Sequence, residues 1–202
     1  MKMRKIFLAM VAIFLFAGTA FAAPNAAELK KMSTFISNFT ELGFLNVTAS
    51  HIARPGHYAD AVFFGVWHNY VNNYHATIAQ CHVENCQYGG LTIKAADAER
   101  SVKRYFGVSV KMNKSANHVG QLFHYADSKF HFEGADGDTT YYAKITKLEI
   151  NSDNTNIYTA RGIIFNADVP SEIYGDFTAH FKSQMWQGKK TYVLIDIRTR
   201  QR

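Results

Sequence analysis

The hydrophobic pattern of this chain changes its period near Gln121, and this change constrains the fold more than any other feature. Before Gln121, apolar residues recur at steps of three and four, which is typical of the buried face of a helix. After it, apolar and polar residues alternate, which is typical of strands with one buried face. The order predicts helices followed by antiparallel strands, and therefore an α+β fold.

Three segments before Gln121 carry the helical pattern. They lie at about residues 29–42, Tyr58–Gln80 and Ala95–Phe106, with a short strand at Leu91–Ile93 between the last two. The second segment has the widest apolar stripe, which includes Phe63, Trp67 and Tyr70. We expect so wide an aromatic stripe to pack on the concave side of a sheet.

The second half of the chain predicts a meander of strands. The predicted strands are 121–125, 129–133, 139–150, 157–166, 174–186 and 191–197. The segment 174–186 also fits a helix, because Phe177, Phe181 and Met185 are four residues apart, but its strict alternation favours a strand. We therefore expect three N-terminal helices packed on one curved antiparallel sheet, in a single domain.

This order of elements resembles the NTF2-like (nuclear transport factor 2-like) α+β cone. The resemblance covers residues 26–199 and rests on element order and on the aromatic-faced helix. It implies a curved sheet that wraps a long helix and leaves a pocket at its wide end. Members of this group include enzymes, ligand binders and interaction modules, so the resemblance implies no single function. The chain also resembles secreted bacterial proteins.

The first 22 residues predict a secretory signal. Lys2, Arg4 and Lys5 precede an apolar run, and Ala20-Phe21-Ala22 is a small-residue cleavage site. We expect cleavage after Ala22, which leaves residues 23–202 as a periplasmic or secreted domain without a membrane span. The alternative is an uncleaved N-terminal anchor.

The charge of the remaining chain is modest. The whole sequence has 22 basic and 16 acidic residues, and three basic residues but no acidic ones precede the cleavage site. The balance after cleavage is therefore 19 to 16, a net charge of +3. Nucleic-acid binders concentrate basic charge more strongly, so we expect no nucleic-acid partner.

Cys81 and Cys86 are the only two cysteines of the chain. In an oxidising compartment, an isolated pair at this spacing most simply forms a disulfide. The small ring gives it a modest stabilising effect, on the order of 2 kcal/mol. A metal site is the alternative, and it would need further ligands, of which His82 is the obvious one.

The nine histidines include three at seven-residue steps, His68, His75 and His82. On one helix they would share a line, about 10.5 Å apart along the axis, which is too far for a single metal ion. We expect them at the edge of the core. In the alternative, His68 or His75 lies on a pocket rim as acid, base or ligand, and Asn72 joins them there as a ligand-binding residue.

Two further clusters contain potential metal ligands. His51 and His57 flank a turn just before the long helix, and a metal site could join them to His68 in space. His131 and Glu133 share a strand face just before Asp136. The Asp-Gly pair at Asp136 is first a turn signal, with a calcium loop or an acid/base pair as alternatives.

No motif for a nucleophile, a phosphate loop, a dinucleotide or a zinc protease occurs. The sequence favours a non-catalytic module that binds a small ligand or protein partner in an aromatic pocket, with no cofactor or metal. Its candidate ligand-binding residues are His68, Asn72, His75, His131, Glu133 and Asp136. The alternatives are a hydrolase or isomerase that pairs His68 or His75 with Glu133 or Asp136, and a structural protein that covers its sheet by forming a homodimer.

Overall fold

The structure, a computed structural model, describes residues 25–82, 86, 88–135 and 140–202. The expected signal segment 1–22 and Asp136 lie outside the described residues. Among the helices within the described ranges, none combines the length and the apolar character needed to cross a membrane.

The described residues form five α-helices, of which three are longer than one turn. They are α1 (Ala26–Thr40), α2 (Ala49–Ile52), α3 (Tyr58–Asn72), α4 (Tyr74–Thr77) and α5 (Ala95–Phe106). The Asn25 side chain caps α1 by accepting a hydrogen bond from the Glu28 N–H at 2.9 Å. Gly107, at φ +69°, ends α5 in the left-handed conformation that favours glycine. The first and third predicted helices are therefore confirmed.

The second predicted helix is wrong beyond Asn72. The chain leaves the helical conformation at Asn73 (φ −134°), forms the single turn α4 and continues as strand β2 (Ile78–Gln80). Two consecutive asparagines favour helix poorly, and the Ile78 strand gains a partner in strand β3 (Leu91–Lys94). His68 and His75 therefore do not share one helical line, and His82 follows a strand.

The strands form two five-stranded antiparallel sheets where the sequence predicted one. The remaining strands are β1 (Val47–Thr48), β4 (Ala116–His118), β5 (Gln121–Ala126), β6 (Lys129–Phe132), β7 (Tyr141–Ile150), β8 (Ile157–Asn166), β9 (Ile173–Trp186) and β10 (Lys189–Gln201). The large sheet has the order β1-β10-β9-β8-β7, and the small sheet has the order β2-β3-β6-β5-β4. The α+β class is confirmed, as is the strand predicted at 174–186, which the structure begins at Ile173.

The core joins the two sheets through the helices. Helix α1 packs along β7, α3 packs against α5, and α5 contacts both β10 of the large sheet and β3 of the small one. Phe39, Phe64 and Phe106 are fully or almost fully buried, and their rings lie 4.7–5.5 Å apart between centroids. Edge-to-face and stacked contacts at these distances stabilise such a core beyond the area that they bury.

Helix α1 covers the outer edge of β7 with three hydroxyl groups. The Ser33 and Ser37 oxygens accept hydrogen bonds from the backbone N–H groups of Ile145 (3.1 Å) and Ala143 (3.0 Å). The Thr40 hydroxyl donates to the carbonyl oxygen of Tyr141 at 2.8 Å. An open strand edge would present these groups to solvent or to another chain. The helix satisfies them within the molecule.

Candidate functional site: an aromatic groove beside helix α3

An open groove of about 680 Å³ lies between α3, the end of α1 and the large sheet. Its aromatic lining consists of Phe63, Trp67 and Tyr70 from α3, Tyr141 from β7 and Tyr174 from β9. Its polar lining includes Thr40, Glu41 and Thr140. Pockets for small molecules commonly combine an apolar wall with a few polar groups in this way.

The α3 wall of the groove follows from helical spacing. Phe63, Trp67 and Tyr70 are four and three residues apart, so they lie on one face of the helix. The Trp67 ring lies 6.1 Å from Phe63 and 4.8 Å from Tyr70 between centroids. All three side chains are only partly buried, so the stripe keeps apolar surface available to a further group.

The opposite wall contains a second aromatic pair, and a polar pair lies where α1 and α3 end. The rings of Tyr141 and Tyr174 lie 4.8 Å apart between centroids. At the helix ends, the Asn72 amide donates a hydrogen bond to Glu41 Oε1 at 2.7 Å. Burial raises the pKa of the Glu41 carboxyl, and the hydrogen bond from Asn72 only partly opposes that shift. The groove therefore contains one carboxyl group that is partly desolvated.

His68 lies in the core and not on a pocket rim. It is 2% exposed, and its ring packs 5.5 Å from Phe64 and 4.4 Å from Tyr105 between centroids. Its Nε2 atom lies 2.9 Å from Asn38 Oδ1, while Nδ1 is buried without a hydrogen-bond partner. Burial, with a smaller effect of Arg104, lowers the pKa of His68 to about 4. The ring is therefore neutral at pH 7 and donates to Asn38 through Nε2.

The other predicted site residues are not brought together. His75 on α4 and Glu133 after β6 are both exposed. Within the described part of the chain, no hydrogen bond or ion pair joins His68 or His75 to Glu133. Asp136 lies outside the described residues. Of the predicted residues, Asn72 is the one that contacts the groove, through Glu41, a residue that no sequence pattern singles out.

Cys81 and Cys86 form the predicted disulfide, and His131 lies beside it. The Nδ1 atom of His131 is 3.5 Å from the Cys81 sulfur and 3.4 Å from the Cys86 sulfur. The pairing of β2 with β3 and of β3 with β6 produces this contact between residues 45–50 positions apart. The three potential ligand atoms lie within 4.8 Å of one another, but in the disulfide both sulfurs are already bonded.

His51 and His57 lie together, as their positions around the turn predict, but without His68. They line one cavity with Asp60, in the first turn of α3, and with His118 of β4. Neither residue stands out in the sequence, because nothing in the local pattern connects His118 to a turn some sixty residues before it.

Comparison of the chain with protein-family models, curated proteins and solved structures gives no match.

Proposed function

We propose that this chain is a non-catalytic, periplasmic or secreted module that binds a small, largely apolar ligand in the aromatic groove. The observation that carries the proposal is the partly buried stripe of Phe63, Trp67 and Tyr70 beside the desolvated carboxyl of Glu41. The secretory leader that the sequence predicts supports the location. The resemblance to the NTF2-like cone, which implies a pocket beside a long helix, belongs to the same proposal.

The lining of the groove defines the class of ligand. Flat aromatic or alicyclic groups suit walls made of Trp and Tyr rings, which offer large apolar faces with polar tips. The Glu41 carboxyl has one hydrogen bond, from Asn72, and a ligand N–H or ammonium group would restore part of its lost solvation. We therefore propose an apolar ligand with one hydrogen-bond donor.

The rival enzyme hypothesis has less support. It needs a histidine and a carboxylate close together in a pocket, whereas His68 is enclosed in the core and His75 is exposed on α4. A general base must reach the proton that it abstracts, and neither histidine lines the groove.

The test uses N-phenyl-1-naphthylamine, a neutral aromatic probe with one N–H donor. The protein is expressed with its leader, purified after secretion and titrated with the probe by fluorescence. We expect saturable binding that Trp67→Ala weakens about tenfold or more, since aromatic anchors dominate such sites. Trp186→Ala is the matched control, because Trp186 is the other tryptophan of the chain and does not line the groove.

Equal effects of the two tryptophan variants, or no saturable binding by the wild type, would overturn the proposal. Glu41→Gln refines the test. Gln keeps an oxygen for Asn72 but removes the negative charge. The substitution should therefore weaken the binding of a cationic probe more than the binding of this neutral one.

A further inference from the structure

Three histidines and one carboxylate converge at the start of α3, in a cavity of about 200 Å³. His51 belongs to α2, His57 ends the short 3₁₀ turn Pro55–His57, Asp60 is in the first turn of α3, and His118 ends β4. The elements that supply these residues are brought together by the fold. The cluster is separate from the aromatic groove, although Leu42, Gly43 and Leu45 contribute to the lining of both.

Asp60 is the centre of the cluster. Its Oδ2 atom lies 2.8 Å from His57 Nδ1, and its Oδ1 atom lies 3.4 Å from His118 Nε2. The His51 ring lies parallel to that of His57, with centroids 5.0 Å apart and planes within 5°. The His118 ring stacks on Phe63 with centroids 4.1 Å apart. Aromatic packing thus holds both imidazoles beside one carboxylate.

We infer that His57, Asp60 and His118 form a binding site for a divalent first-row transition-metal ion, with Zn²⁺ the best suited. Two imidazole nitrogens and one carboxylate oxygen are the protein ligands of many three-ligand zinc and iron sites. Magnesium and calcium prefer sites built entirely from oxygen, so this donor set disfavours them. A water molecule or His51 completes the four ligands that zinc requires.

Two of the three ligand distances already suit a zinc ion, whereas the ligand atoms of the two imidazoles do not yet lie within 4.8 Å of each other and must approach. Ligand atoms around a tetrahedral zinc ion are roughly 3.3 Å apart, given metal–ligand bonds of about 2.0 Å. The two histidine–carboxylate distances, 2.8 and 3.4 Å, already lie on either side of that value. The two imidazoles contact different oxygens of the Asp60 carboxylate, so one ring must turn toward the other to share a metal ion. The His57 and His118 side chains are 39% and 23% exposed, which leaves room for this rotation.

A second histidine–aspartate pair provides a matched control. His180 and Asp196 lie side by side on the large sheet, with His180 Nδ1 3.0 Å from Asp196 Oδ1. This pair has the same chemistry but no second histidine in contact with the carboxylate in the described structure. A variant at His180 therefore removes one histidine–aspartate contact and leaves the proposed ligand set intact.

The experiment is calorimetric titration of the untagged, secreted protein with Zn²⁺ alone, after treatment with a chelator and its removal. Non-reducing conditions keep Cys81 and Cys86 in their disulfide, so that their sulfurs do not bind the ion. We expect one Zn²⁺ per chain. His57→Gln and His118→Gln should each weaken binding about tenfold or more, and His180→Gln should leave it unchanged.

Spectroscopy of the Co²⁺-loaded protein gives a second readout that does not depend on the variants. We expect the visible bands of cobalt with nitrogen and oxygen ligands, without a thiolate charge-transfer band. No stoichiometric binding by the wild type, full binding by the His57→Gln/His118→Gln double variant, or an equal loss in His180→Gln would overturn the inference. None of these results bears on probe binding to Trp67, so this site and the groove can fail separately.

Discussion

Two neighbouring stripes of α3 contain similar side chains but meet different surroundings. Phe64 and His68 are almost completely buried, whereas Phe63, Trp67 and Tyr70 keep part of their surface exposed along the groove. Both stripes repeat at helical spacing and both are aromatic. Residue type alone therefore does not separate the core from the candidate site, whereas the packing of the opposite element does.

Helix α5 makes the difference. Gly65 lets α5 approach so closely that a Cβ atom at position 65 would lie 2.7 Å from the Ala98 carbonyl oxygen. The Asn69 amide then donates to the Ser101 hydroxyl at 2.8 Å, which fastens the two helices on this side. The other stripe meets rings of the small sheet, such as Phe123 and Phe132, and remains partly open.

The largest expected effect on stability comes from removing an aromatic ring, and it should differ between the two stripes. Phe64→Ala should lower the free energy of unfolding by about 3–5 kcal/mol, because it leaves a cavity among fully buried rings. Phe63→Ala should cost less than half as much, because that ring already contacts solvent. Urea denaturation of both variants measures the difference, and equal losses would contradict the distinction between the stripes.

His68, on the buried stripe, should make the stability of the protein sensitive to acid. Because the folded pKa of His68, about 4, lies below the usual 6.5, only the unfolded chain binds this proton between those values. The contribution of His68 is therefore complete above pH 6.5 and is lost as the pH falls to 4, by about 3 kcal/mol in total.

His68→Gln tests this contribution. It should cost about 1–2 kcal/mol at pH 7, through lost ring packing, but should remove this part of the acid dependence. The stability curves of variant and wild type should then approach or cross near pH 4. His75→Gln is the control on the exposed helix turn, and it should follow the wild type throughout. Parallel curves for His68→Gln and the wild type would refute the explanation.

Gly65→Ala should reverse the usual effect of alanine in a helix. Alanine favours an exposed helix over glycine by about 1 kcal/mol, but here the added carbon would collide with the backbone of α5. We expect a net loss of about 1–3 kcal/mol by thermal or urea denaturation. Gly56→Ala is the control, since a Cβ atom there meets nothing within 4 Å. A stabilised Gly65→Ala variant would show that the helices can separate without cost.

The smallest effect on stability is expected in the groove, at Glu41. Burial raises the folded pKa of this carboxyl above its usual 4.5, so stability falls as the pH rises from 4.5 through the folded pKa. Glu41→Gln should stabilise the protein at pH 7, by less than about 1 kcal/mol, and flatten that decline. Glu133→Gln, at an exposed carboxylate, is the control and should change neither the stability at pH 7 nor its decline with pH. A destabilised Glu41→Gln variant would mean that the charge itself is needed in the fold.

Local periodicity predicts much of this fold, because it reflects contacts that each element makes with its own neighbours. It predicts α5 at Ala95–Phe106 and β8 at Ile157–Asn166 with their observed bounds. It fails after Asn72, where one-turn and three-residue elements are too short to establish a period. The division into two sheets also depends on which strands pair, and alternation alone does not specify a partner.

The candidate sites are less predictable, since they join residues that are distant in sequence. The aromatic stripe of α3 is visible as a pattern, but Glu41 becomes part of the groove only when α1 is placed beside the end of α3. His118 meets Asp60 across 58 positions of the chain. His68, His75 and His82 recur every seven residues, a regular spacing that places them on one line only in a continuous helix. Because α3 ends at Asn72, the spacing does not place them on one line.

The hydroxyl groups with which α1 covers β7 also affect how the chain folds. Ser37 and its partner Ala143 are 106 positions apart, so α1 must wait for a strand that is synthesised much later. An isolated helix of 15 residues is marginal in water, and contacts of long sequence separation form slowly. The early part of the chain should therefore stay unfolded until β7 is present, a delay that would suit the export that the leader segment predicts.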